Sequence, residues 1–560
     1  MYRKEKSFYM IYTDDIEKAF KDNNIDKYVI LNEKLASIYV SLDFDENKLN
    51  DIKEIQWWTI SGEMSSLIEI TDNIDRGESV DDVVGVSSID NNPYLDLTGK
   101  SVLVAVIDSG IDYLNKDFID ENNQSKIAYL WDQQSDKKSP PKNINFGSEY
   151  TREDINKAIK EQDNTLSEDS LGIGTMISGI IAGQGNTNRE YRGIAKDCEL
   201  VVVKLRGYEN IYNKGTIGYT ESDFLAAITY VTDIAKKEQK PLIINITVGS
   251  KSDIRMEASI LETYKILNES GIIAVSGAGN EGNTDIHYSN NIPIKDMYQD
   301  VLIQSGENEN LSIVLSSTGP DKIGLQIISP SGDISKIIKY NPEDVIHQGR
   351  FNVEGTNYKI INRYPWLETG EQSLQVQLTD IKPGVWTIRL IPEFIIHGIY
   401  DLYLPNKNLI SKETRFLDPI SAGTVTKFAL SRLGIVVGAY NNKINSLWIG
   451  SSKGSIRGNR LNPDLIAAGV DIISTYKDKT YNSATGTGIS SSILAGSLAL
   501  IMQYLIEESN LPKMSLFTDS LKAYLAIGAV KNETYIYPNV SQGYGVFNLG
   551  NTIIEIGRNL

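Results

Sequence analysis

The sequence predicts an α/β chain: a parallel sheet covered on both faces, a small split βαβ unit before it, and an all-β block inserted into it. Three observations carry this. First, the nearly continuous apolar runs SVLVAVIDSG, CELVVVKLRG, LIINITVGS and GIIAVSGAGN alternate with helical patterns such as ESDFLAAITYVTDIAKK. Strands buried on both faces read this way. Second, from residue 296 short β-like segments broken by Gly, Pro, Asn and Asp take over. Third, the α/β style returns at residue 424.

Within residues 1–90, SFYMIYT reads as a strand and DDIEKAFKDNN as a helix with Asp14 or Asp15 as its N-cap. YVILNEKLASIYVSL reads as two strands around Asn32 to Lys34, FDENKLNDIKEI as a second helix, and QWWTIS as a last strand. Two strand–helix–strand units in succession predict a ferredoxin-like fold. Residues 91–295 hold the first part of the α/β domain. Sites in such sheets form at the carboxyl ends of strands, which places Asp108, Gly249–Ser250 and Gly279–Asn280 along one edge. Residues 296–423, with LSIVLSST, KIGLQIISP, QSLQVQLTD and VWTIRLIPE, predict an antiparallel sandwich or jelly roll. Residues 424–560 complete the α/β domain with the strands GIVVGAYN and PDLIAAGVDIISTY and the long apolar helix SSILAGSLALIMQYLIEES.

Composition narrows the function. The net charge of −18 over 560 residues disfavours a nucleic-acid partner, which would need a basic face. The single cysteine, Cys198, excludes an intrachain disulfide and a cysteine-built zinc site; its place before an apolar run predicts a small buried residue. No metal-binding motif is present and no cofactor is implied. The segment MYRKEKSFYMIYTDD lacks the apolar region of a signal peptide, and no uninterrupted apolar run is long enough to span a membrane. Synthesis in a cytoplasm without classical export is therefore expected. There are three histidines, His287, His347 and His397.

Five motifs, in order, resemble the subtilisin-like serine protease (subtilase) family: AVIDSGID, GIGTMISGIIAG, SGAGNEG, NPDLIAAGVDI and TGTGISSSILAG. The resemblance implies a Ser-His-Asp triad and an oxyanion asparagine. Asp108 matches the aspartate and Asn280 the oxyanion donor. The histidine position is Ile173 and the serine position is Gly488. An isoleucine accepts no proton and a glycine has no nucleophile; in subtilisin, loss of either triad member costs turnover about a million-fold. Ser490, Ser491 and Ser492 follow closely but turn away along a helix by roughly 100° per residue. The sequence therefore predicts no functional catalytic residue, with an opened, vacant cleft as the consequence of Gly488.

The resemblance also implies that residues 1–90 are a folding prodomain. A chain without a nucleophile would keep it attached, so no fragment ending near residue 90 is expected. The order of prodomain, core and β insertion is similar to the clostridial spore-germination group called Csp, and within it to the CspC pseudoprotease type. That likeness implies residence in the dormant spore (cortex or coat region) and a regulatory role upstream of an active Csp subtilase, with another Csp pseudoprotease as a further partner. The active protease would in turn activate a cortex hydrolase. It also implies a bile-salt-like germinant, bound directly or relayed. Lys453, Arg457 and Arg460 in SSKGSIRGNR form a basic group that could meet an anion or be a solvated loop. Two alternatives stay open: a scaffold or folding partner for another Csp protein, and a weakly active peptidase with a displaced catalytic set.

Overall fold

The computed structural model describes residues 5–92, 94–209, 216–250, 260–263, 267, 269–292, 297–307, 310–342, 344–366, 369–455, 461–508, 512 and 516–559. Its centre is a nine-stranded, mostly parallel sheet. Leu103–Asp108 lies in the middle, between Leu242–Ile246 on one side and Glu199–Lys204 on the other. Ile272–Gly277 and Gly434–Asn441 extend the first side in parallel; only Ser446–Leu447 and Ser148–Thr151, at the two margins, run antiparallel.

The apolar runs divide by parity, as a period of two requires. Val104, Val106, Leu200 and Val202 face one core, under helices Ile173–Ala182 and Thr487–Glu508. Leu103, Ala105, Ile107, Val201 and Val203 face the other, under helix Glu221–Glu238. The helix Thr487–Glu508 is long and apolar enough to cross a membrane by composition, and 89% of its most apolar window is buried inside this fold. It is the helix around which the first core is packed.

The N-terminal sheet is antiparallel, in the order Tyr28–Ile30, Leu35–Ser41, Glu5–Tyr12, Ile55–Ile60. Asp15 caps helix Ile16–Asp22 by accepting from the Lys18 amide. The second expected helix is one short 3-10 element, Glu46–Asp51; Asp45 caps it, but six residues with one buried leucine offer too narrow a face to extend it. The all-β block is two antiparallel sheets of six and four strands closed over one core that includes Ile313, Trp386, Ile388 and Phe416. Its first strand, His287–Asn291, precedes residue 296; HYSNN carries no apolar alternation and gave no strand signal. The block leaves the central sheet after Ile272–Gly277 and returns before Gly434–Asn441, its parallel neighbour.

The N-terminal unit docks on both other parts. At the buried start of helix Glu221–Glu238, the Ser222 amide donates to Ser61 Oγ and the Glu221 amide to Gly62 O, while the Gly62 amide donates to Glu221 Oε2. Below them Lys427 Nζ lies 2.7 Å from Glu221 Oε2 and donates to Tyr9 Oη at 3.0 Å, all three groups buried. Toward the β block, Trp57 stacks edge-on with Trp366 at 4.9 Å, and Glu46 pairs with Lys359.

Candidate functional site

Asp108 ends its strand at the carboxyl edge, fully buried. Its Oδ1 accepts from the Ser109 amide at 2.8 Å and its Oδ2 from the Thr247 hydroxyl at 2.7 Å. Burial pushes its carboxyl up to about 7, against the pull of those hydrogen bonds. No imidazole meets it. His287 is held inside the β block by Ala422 O and Asp401 and stacks on Tyr403. His347 lies beside Asp344, and the His397 amide donates to Asp321.

Ile173 opens helix Ile173–Ala182, half-buried, and packs on the hydrophobic core. What fixes this helix start is Asp169, which the sequence reading missed. Its carboxylate accepts from the hydroxyls of Ser109 and Thr175 and from the amides of Gly172 and Thr175, all between 2.7 and 2.9 Å. Ser109 Oγ in turn accepts from the Gly174 amide at 3.0 Å. A carboxylate with four donors thus ties the acid strand to the helix that should carry the base. The only signal for it was an acidic residue shortly before a Gly-rich helix start.

At the other end, Gly488 is the second residue of helix Thr487–Glu508. Asn280 sits beside it; its Oδ1 accepts from the Thr487 amide and hydroxyl, each at 3.0 Å, and its buried Nδ2 has no hydrogen-bond partner among the described residues. Ser490 donates to Ala467 O, and Ser491 and Ser492 donate to Gly488 O; all three are fully buried. Their hydroxyls are taken up by backbone carbonyls inside the core.

The cleft is not vacant, contrary to the expectation from Gly488. Residues 63–70 run through it as an uninterrupted extended strap. Glu63–Ser66 pairs antiparallel with Ile217–Thr220 on one side and with Val248–Gly249 on the other. The Leu67 amide donates to Thr247 O at 2.8 Å, and Leu67 O accepts from the Gly488 amide at 3.0 Å. Glu69–Ile70 then pairs with the end of Thr480–Thr485. Met64, Leu67 and Ile68 are buried along this path. Gly486, at φ +145°, allows the approach: a Cβ there would lie 2.1 Å from Leu67 O. The carbonyl set against the backbone donor and Asn280 is therefore that of Leu67, and residue 90 lies well past the cleft.

Of the basic group, Lys453 is half-buried with its backbone bonded to Thr424; Arg457 and Arg460 lie outside the described residues. Cys198 is buried, and burial pushes its thiol up to about 12. Among the described residues no three His, Cys, Asp or Glu side chains converge as a metal site. A cavity of about 250 Å³ opens where the N-terminal sheet, the β block and the core meet, lined by Lys6, Ile60, Gln375, Leu404 and Ile410 among others.

Parallel sheet, crossover helices and the acid and oxyanion positions at the carboxyl edge define a subtilisin-like α/β protein. Residues 99–366 match the model of the Subtilase family. The chain is similar to the CspB protease of Clostridium perfringens, whose structure superposes with a TM-score of 0.73 at 25% identity, over 88% of this chain and 100% of that one. It is 24% identical over 250 residues to a subtilisin from Bacillus sp. (strain TA39), and 29% identical over 188 residues to the major intracellular serine protease of Bacillus subtilis (strain 168). Those matches cover 43% and 33% of this chain, and the chain spans half or less of these relatives, 50% and 45%.

Proposed function

We propose that this chain is a catalytically silent subtilase, of the CspC pseudoprotease type, that works by binding. One observation supports this above the others: where the Leu67 carbonyl rests on the Gly488 amide, the residue facing it is a glycine with no side chain to attack it. A serine-type enzyme would hold a nucleophilic hydroxyl at that point. The acid end agrees, since Asp108 has a threonine and a serine for company and no base.

In this reading the protein resides in the dormant spore and passes a bile-salt-type germinant signal to a related active Csp protease, which activates a cortex hydrolase. The likeness to CspB supports a place in that group. The 250 Å³ cavity offers the apolar side chains of Ile60, Leu311, Val314, Leu404 and Ile410 to an amphipath; its cation, Lys6, is already engaged by Phe44 O and Glu46, so an acid group would have to compete for it. The cavity is slightly smaller than the roughly 300–1,000 Å³ of common ligand pockets, so a steroid-sized molecule must part its walls.

Two measurements test the proposal. The purified chain should stay one species of 62.3 kDa and take no fluorophosphonate label; labelling abolished by mutating one serine overturns it. A pull-down from spores with and without germinant should recover a related subtilase in a germinant-dependent manner. Recovery that ignores germinant, with no thermal shift at millimolar bile salt, identifies a scaffold instead.

A further inference from the structure

The strap and Gly488 are fitted to one another. A Cβ added at Gly488 would lie 2.6 Å from Ile68 Cγ1, 3.1 Å from Ile68 Cδ1 and 3.0 Å from Leu67 O. Contacts under 3 Å force a shift. The neighbour here is poorly able to give: Ile68 is branched at Cβ and stiff at χ1, it is 4% exposed within the main core, and residues on both sides of it are hydrogen-bonded into the cleft. The volume in which a nucleophile's side chain would begin is filled by the residue that follows the carbonyl it would attack.

We propose that Ile68 is the blocking residue of this site: Gly488 and Ile68 are mutually exclusive with any larger side chain at 488, and the cleft registers Leu67–Ile68 as the one peptide bond a restored nucleophile would cut. This rests on the reading of the chain as catalytically silent, and it adds the cause. In that reading two residues of the triad are missing, and the strap excludes the return of a side chain at 488. In a restored site the serine oxygen forms a bond to the Leu67 carbonyl carbon. The introduced imidazole takes the hydroxyl proton and delivers it to the residue 68 nitrogen as the C–N bond breaks. Water then hydrolyses the ester and regenerates the hydroxyl. With Ile68 in place, the oxygen cannot reach that carbon.

The steric claim is testable without any catalysis. Alanine for glycine near a helix start ordinarily raises stability slightly. Here Gly488→Ala should lower the Tm by several degrees. In a chain already carrying Ile68→Ala, the same substitution should leave the Tm unchanged or raise it. Additive shifts overturn the proposal. The register is tested in the chain carrying Ile173→His and Gly488→Ser, which should remain whole. Adding Ile68→Ala should release a fragment that mass spectrometry ends at Leu67. Equal cutting without Ile68→Ala, or cutting at another bond, overturns it. If none of these chains is cut, the Tm cycle alone decides. Fluorophosphonate labelling of the unaltered chain would sink the silent-enzyme reading by itself and leave the Tm cycle to decide the steric claim.

Discussion

At the acid end of the cleft, Asp108, Ser109, Asp169 and Thr175 form a closed hydrogen-bond network that positions the helix start and touches no peptide. At the binding end, two strands and the Gly488 amide hold a peptide in full register, with nothing there to react with it. The first region keeps a reactive group without a partner; the second keeps the partners without a reactive group. The contrast teaches that peptide binding in this fold rests on backbone pairing, which does not depend on the side chains at 173 and 488. It also separates their energetics. The network is local, whereas the strap holds three parts of the molecule together: Asn406, at the end of the β block, donates to both Ser65 Oγ and Gly249 O.

The largest effect should come from the binding end. Leu67→Asp places an unpaired carboxylate at a buried point of the strap, a cost of several kcal/mol. The strap should leave the cleft, read as new protease sensitivity around residues 60–75; unchanged resistance would break the contrast. Close behind is the docking pair beneath it. Lys427→Met alone leaves Glu221 buried without its cation and should cost about 3–5 kcal/mol in denaturant melts. Lys427→Met with Glu221→Gln should cost less than the single change.

The acid end should respond through pH. The Asp108 carboxyl is raised in the folded chain, so folding favours its protonated form. Stability from this group is full below the unfolded value of 3.8 and is lost as pH rises through about 7. Asp108→Asn imitates the protonated acid toward both Ser109 and Thr247. It should match the native stability near pH 4 and exceed it at pH 8, by an amount on the order of 4 kcal/mol; an unchanged difference across that range would refute the linkage. Asp169→Ala takes the acceptor from two amides and two hydroxyls, at about 1–3 kcal/mol for each that stays unpaired. It should loosen amide-exchange protection at residues 172–175 without freeing the strap.

Much of this was legible in the chain. Alternating burial in SVLVAVID and ELVVVK was visible because each strand is continuous in sequence. The helix starts at Ile173 and Gly488 were visible because two motifs kept their frame around those positions. The strap was not legible, since EMSSLIEI holds two very short strands whose partners lie more than 150 and 400 residues away. Nothing local distinguishes them from a linker. Asp169 escaped for the same reason: its meaning depends on Ser109, sixty residues earlier. The second N-terminal helix failed on length, where propensity outran the space available to pack it.

The unbroken passage from Ser66 to Glu69 has a consequence for how the molecule behaves at low concentration. In a chain cut at that point, the first 67 residues would be a separate ligand, and their occupancy of the cleft would fall on dilution. In the uncut chain that the proposed function implies, they are tethered on both sides, so docking is a unimolecular equilibrium governed by effective concentration. Dilution cannot open the cleft. Only something that binds the undocked form, or that strains the β block against Asn406, can shift it.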